Sequence, residues 1–147
     1  MNNSAPRTVL RGQVLSFTDD PFIVDNSKAY QHFSEGIVIL RDGLIEAVGS
    51  AADLSKQITD ADQVHDHGDN LIMAGFVDTH VHYPQIGIIG SYGTQLIEWL
   101  NTYTFPEEGR FDDAEYAREA ANTFVDQCLI NGISTASVFC TVHEQSV

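Results

Sequence analysis

The sequence predicts an α/β chain in two parts: a β-rich module over residues 1–70 and a βαβ unit over residues 71–147. Three features carry this expectation. Asp42-Gly43 between two apolar runs is the signature of a tight β-hairpin. Leu71 to Val77 is an unbroken apolar run, as in a strand buried on both faces. Ala117, Ala120, Ala121, Phe124, Val125 and Cys128 recur with a period near 3.6, directly before a β-branched stretch from Ile133 to Thr141.

Taken in order, Thr8 to Phe17 mixes apolar and polar residues as a strand does, and Asp19-Asp20-Pro21 ends it. Gly36 to Leu40 is a second strand, running into Arg41-Asp42-Gly43, and Leu44 to Gly49 returns beside it. Ser50 is placed to cap a short helix carrying Leu54 and Ile58 on one face. The polar stretch Asp60 to Asn70 then reads as a loop closing the module. After the apolar run, the connection Tyr83 to Phe111 is long enough to hold a short helix at Leu96–Leu100. Asp112 or Asp113 caps the following helix, and Asn131-Gly132 stops it. Strand, helix and strand in this order form a βαβ unit, with a right-handed crossover expected.

Composition narrows the function. With 21 acidic against 7 basic residues the net charge is −14, and the only lysines are Lys28 and Lys56. Neutralising a phosphate backbone needs clustered Lys and Arg, so nucleic-acid polymers and anionic membranes are poor partners. Cys128 and Cys140 are too far apart for a CxxC motif. No apolar h-region occurs between Met1 and Arg11, and no run approaches the roughly 18 apolar residues of a membrane span. A soluble cytoplasmic protein is the expectation. The P-C-x-x-C of cytidine-type deaminases is missing, as are G-x-S-x-G, the P-loop and G-x-G-x-x-G.

Chemistry concentrates at Asp78-Thr79-His80-Val81-His82. Two histidines two apart on an extended backbone point to one side, and at the tip of a buried strand they make half of a zinc or iron site. His65-Asp66-His67 has the same spacing but no apolar strand feeding it, so a solvated loop is expected there. His143 and Glu144 follow the second strand and are candidates for outer contacts at the same mouth. Gln85 offers donors and an acceptor suited to a nucleobase edge, although by residue type alone it reads as a surface glutamine. Trp99 either walls a flat pocket or buries the short helix; Tyr103, Phe105 and Pro106 read as packing. Glu107, Glu108, Asp112, Asp113 and Glu115 read as a solvated helix entry.

Ala74-Gly75-Phe76-Val77-Asp78-Thr79-His80-Val81-His82 resembles the first barrel strand of the amidohydrolase superfamily. Tyr83-Pro84-Gln85, Glu98 to Glu107, Asn131 to Ala136 and Thr141-Val142-His143 are similar to the guanine deaminases within it. The resemblance implies the start of a metal-dependent (β/α)8 barrel preceded by part of a small β-sandwich. It implies hydrolytic deamination of guanine to xanthine and ammonia by a metal-activated water, as part of purine catabolism. His80 and His82 would then be metal ligands, for zinc or alternatively iron. Gln85 would hydrogen-bond the purine, Tyr83 and Pro84 would shape the adjoining wall, and Trp99 would line the pocket.

Full-length members are expected to be homodimers acting on the free purine. Ala74 stands where the family usually has proline, which should loosen the strand entry without touching the chemistry. In the family, the remaining ligands and a proton-shuttling glutamate come from residues that would lie beyond Val147, so no catalytic acid or base is expected within this stretch. A complete barrel takes about 250 residues. Two alternatives therefore stand beside guanine deamination: action on a triazine, cytosine-like or hydantoin ring, and a catalytically inactive fragment.

Overall fold

Val9, Val14, Ile37 and Ile39 form the spine of the first sheet, all buried. The computed structural model describes residues 6–147. β1 (Thr8–Phe17) pairs antiparallel with β2 (Tyr30–Arg41), and β3 (Leu44–Ser50) pairs antiparallel on the far side of β2. β4 (Gln63–Ile72) runs parallel to β1, giving the order β3-β2-β1-β4. A helical turn, α1 (Asn26–Ala29), precedes β2, and a second, α2 (Ala51–Leu54), follows β3. Val9, Ile37, Ile39 and Leu54 make the core, with Ala47, Ala51 and Ile58 packed against it.

Local signals set much of this unit. Asp42 and Gly43 take φ of 51° and 79°, the left-handed pair that a two-residue hairpin requires. Ser50 caps α2, its Oγ accepting from the Asp53 amide at 3.2 Å. The helix is shorter than expected, so Ile58 reaches the core from extended backbone rather than from the same helical face as Leu54.

One tie closes the unit over a long sequence separation. Arg7 donates from Nε to Asp62 Oδ1 at 2.9 Å and from a terminal nitrogen to Oδ2 at 2.7 Å. Asp62 also accepts from the Thr59 amide at 2.8 Å. The hydrogen bonds from Arg7, then those from Thr59, hold its carboxyl well below the usual carboxylate range.

β4 corrects the sequence expectation. The stretch read as a loop from Asp60 is a strand from Gln63, and His65-Asp66-His67 lies within it, paired along β1 at Leu10 and Arg11. All its residues but Ile72 are exposed, so no inside–outside alternation marks it. Its strand character comes from main-chain bonding to β1, which composition does not record.

The chain divides into two compact units, one ending at Ala74 and one spanning Gly75–Val147. The apolar run is therefore split. Leu71 and Ile72 finish β4, whereas β5 (Phe76–His82) begins after Gly75. β5 pairs in parallel with β6 (Ile133–Phe139) across α5 (Ala114–Ile130), completing the expected βαβ unit. Burial of β5 on both faces does not hold: Phe76 is 58% and Val77 63% exposed. The core of this unit lies instead between α5 and the turn after β5, from Tyr83, Phe111, Ala117 and Ala120.

Asp113 caps α5, accepting from the amides of Glu115 at 2.8 Å and Tyr116 at 3.3 Å. Gly132, at φ 77°, ends it, and its carbonyl accepts from the Phe76 amide at 2.8 Å, joining the helix exit to the start of β5. Between the strands, α3 (Leu96–Trp99) runs through a π-helical turn, Leu100–Thr104, into α4 (Phe105–Gly109). Only the first of these was expected. Phe105 is 55% exposed and Pro106 is exposed too, so neither packs as the sequence suggested. Among the described residues no helix is long and apolar enough to cross a membrane.

Candidate active site

An open cleft of about 1010 Å³ lies within the second unit, beside the C-terminal end of β5. Asp78, His80, His82, Gln85, Trp99 and Tyr116 are among the side chains lining it. The strand delivers the histidines as its period requires. Residues 80 and 82 share a face, and their Nε2 atoms approach to 3.2 Å. Asp78 Oδ1 accepts from the His80 amide at 3.1 Å, fixing the backbone at the strand tip.

Phe139, the register partner of His82 on β6, sits against both rings. Its centroid is 4.5 Å from that of His80 and 4.9 Å from that of His82, the latter nearly parallel at 14°. Sequence reasoning did not single out Phe139. Its role depends on which β6 residue falls opposite His82, and that is a matter of register.

The nitrogen spacing suits a shared ion. Two metal–nitrogen bonds of about 2.05 Å spanning the observed 3.2 Å subtend roughly 103°, close to a tetrahedral angle. The pair supplies two donors. Among the described residues no cluster of three or more His, Cys, Asp or Glu side chains gathers to hold a metal.

The turn Tyr83–Ile88 carries the remaining candidates. Gln85 reaches the cleft and donates from Nε2 to Glu108 Oε1 at 3.1 Å. Tyr83 and Pro84 are buried, and neither lines the cleft. Tyr83 donates its hydroxyl to the Ser146 carbonyl at 2.9 Å, and its ring lies 5.8 Å from that of Phe124, which lines the cleft, so it backs the wall from behind. Trp99 lines the cleft and donates from its indole to the Ser91 carbonyl at 3.1 Å. His143 and Glu144 do not line the cleft; His143 Nδ1 lies 3.7 Å from Asp112.

Glu107 departs from the acidic run Glu107–Glu115, which the sequence suggested was a solvated helix entry. It is buried, accepts from the Tyr116 hydroxyl, and pairs with Arg110 at 3.1 Å. Arg110 also lies over the Tyr116 ring, 3.8 Å from its centroid. Burial and then the bond to Glu107 push the Tyr116 hydroxyl up to about 12. Nothing local distinguishes Glu107 from its acidic neighbours; only Tyr116, nine residues on, reveals its burial.

The parallel strand pair thus sets two imidazole donors side by side at one strand end. Residues 71–147 match the amidohydrolase family, and the chain belongs to it. Over 136 residues it is 46% identical to the guanine deaminase of Escherichia coli (strain K12), across 90% of this chain and 31% of that protein. Its structure resembles that of E. coli guanine deaminase with a TM-score of 0.86 at 43% identity, over 95% of this chain and 32% of the other. It also resembles guanine deaminase from C. acetobutylicum with bound guanine in the active site, at a TM-score of 0.75 and 26% identity, over 95% and 31%. The chain thus spans about a third of the length of the curated relatives it matches.

Proposed function

We propose that this chain is the opening part of a guanine deaminase, with the first unit contributing to a β-sandwich and the second forming the first βαβ unit of a (β/α)8 barrel. The observation that carries the reading is the His80–His82 pair, 3.2 Å apart at the mouth of a cleft also lined by Gln85 and Trp99. The reaction is replacement of the guanine amino group by the oxygen of water, giving xanthine and ammonia.

His80 and His82 would hold the divalent metal, zinc or iron, each through Nε2. When bound, such a metal lowers the pKa of a water to about 7 and so supplies a nucleophile at neutral pH. The protein residues do the rest. Gln85 hydrogen-bonds the purine edge, Trp99 forms an apolar wall for the flat ring, and the bond from Tyr83 to the Ser146 carbonyl anchors the short link Tyr83–Pro84 that joins His82 to Gln85. Phe139 restrains both imidazoles before any ligand arrives. The two free cysteines fit a cytoplasmic role in purine catabolism.

The test is a full-length protein containing this chain, assayed for xanthine formed from guanine. Activity is expected in the wild type and lost in both His80→Ala and His82→Ala; activity retained in both variants overturns the ligand assignment. A panel of triazine, cytosine and hydantoin substrates tests the choice of ring. The two-donor set predicts that the 147-residue chain alone holds metal weakly and does not turn over guanine; stoichiometric tight zinc with turnover contradicts that.

A further inference from the structure

Gln85 touches two things at once: the cleft and the carboxylate of Glu108 on α4. A side-chain amide can normally face either way, presenting a carbonyl or an NH2 to a ligand. Here the choice is made by the partner. An ionised carboxylate only accepts, so the group 3.1 Å from Glu108 Oε1 has to be the Gln85 NH2. That leaves Oε1 of Gln85 without a partner among the described residues. Both side chains are partly buried, where such a bond is strengthened by the lower local dielectric.

α4 itself is anchored. Glu107, the preceding residue, is held by Tyr116 and Arg110 and packs against Gly87 so closely that a Cβ there would lie 3.0 Å from its Cδ. The helical turn carrying Glu108 and the turn carrying Gln85 are thereby fixed against each other at two adjacent points.

We propose that Glu108 is a positioning residue for Gln85. By accepting from Nε2 it locks the amide with Oε1 available to the cleft, so the ligand atom recognised there must be a hydrogen-bond donor, as on a ring N–H or an amino group. This rests on Gln85 contacting the substrate as proposed above. Glu108 touches no ligand itself; it acts by excluding the flipped amide, which would present NH2 and select an acceptor.

The test uses the full-length protein and three readouts. Glu108→Gln keeps shape but removes the acceptor-only constraint; Glu108→Leu removes the bond. Both are expected to raise KM for guanine on the order of tenfold, the size of one lost charge-assisted hydrogen bond, with kcat changed much less. Singly methylated guanines, each masking one donor, supply the second readout. One of them is expected to lose affinity sharply in the wild type and to lose several-fold less in Glu108→Gln. The third is independent of catalysis. A Gln85 side-chain amide proton is protected from exchange in the wild type and loses that protection in Glu108→Leu, with protection elsewhere in α4 unchanged. Equal analogue penalties in wild type and Glu108→Gln, or an unprotected Gln85 amide in the wild type, overturn the proposal. A wild type that binds purines without deaminating guanine defeats the proposed reaction alone, because the exchange readout still stands.

Discussion

Phe139 offers the sharpest test of how the histidine pair is held. Replacing it with alanine removes a ring that touches both imidazoles, at 4.5 and 4.9 Å between centroids. Each such contact contributes about 0.5–1.5 kcal/mol when buried. Phe139 is 45% exposed, so about half the sum of the two contacts applies, about 0.5–1.5 kcal/mol. That energy keeps the rings in the arrangement that binds metal, and its loss lowers the competent fraction roughly two- to tenfold. The assay is competition for zinc against a chromophoric chelator, in the protein carrying this chain. Phe139→Ala is expected to weaken binding by that factor, Phe139→Leu by less, and His82→Ala by far more. Unchanged affinity in Phe139→Ala would refute the idea that this ring pre-arranges the ligands.

Three further outcomes are expected. Asp62 has a depressed pKa in the fold, so the stability it contributes is present above about pH 4, the ordinary aspartate value, and is lost as pH falls below it; Asp62→Asn should flatten the acid limb of a pH–stability curve. Tyr116 is raised to about 12, so its contribution is complete below about pH 10 and declines as pH rises toward 12; the ultraviolet phenolate titration should lose its latest phase in Tyr116→Phe. Asp113→Ala removes the cap of α5 and should cost about 1 kcal/mol in chemical denaturation, with Asp113→Asn restoring most of it.

Features written in short segments were legible from the sequence. Asp42-Gly43, Ser50, Asp113 and Gly132 each decide the conformation of their own neighbourhood, and each does so where expected. His80 and His82 were legible for the same reason, because spacing on a strand dictates their shared face. What escaped depends on distant partners. β4 is a strand because β1 lies beside it, although its own residues are polar and exposed. Glu107 is buried because Tyr116 and Arg110 come back to meet it. The apolar run at Leu71 suggested one strand where there are two, since hydrophobicity does not register where one sheet ends and another begins.

The π-helical turn at Leu100–Thr104 separates Trp99 from Glu107 and Glu108. Inserting one more amino acid there, taken up as ordinary α-helix, would turn everything after it by about 100°. The indole would keep its station while the two carboxylates swung off the residues they support. A length change in a segment containing neither histidine nor Gln85 can therefore disarm the cleft, and insertions or deletions there deserve the scrutiny usually kept for ligand substitutions.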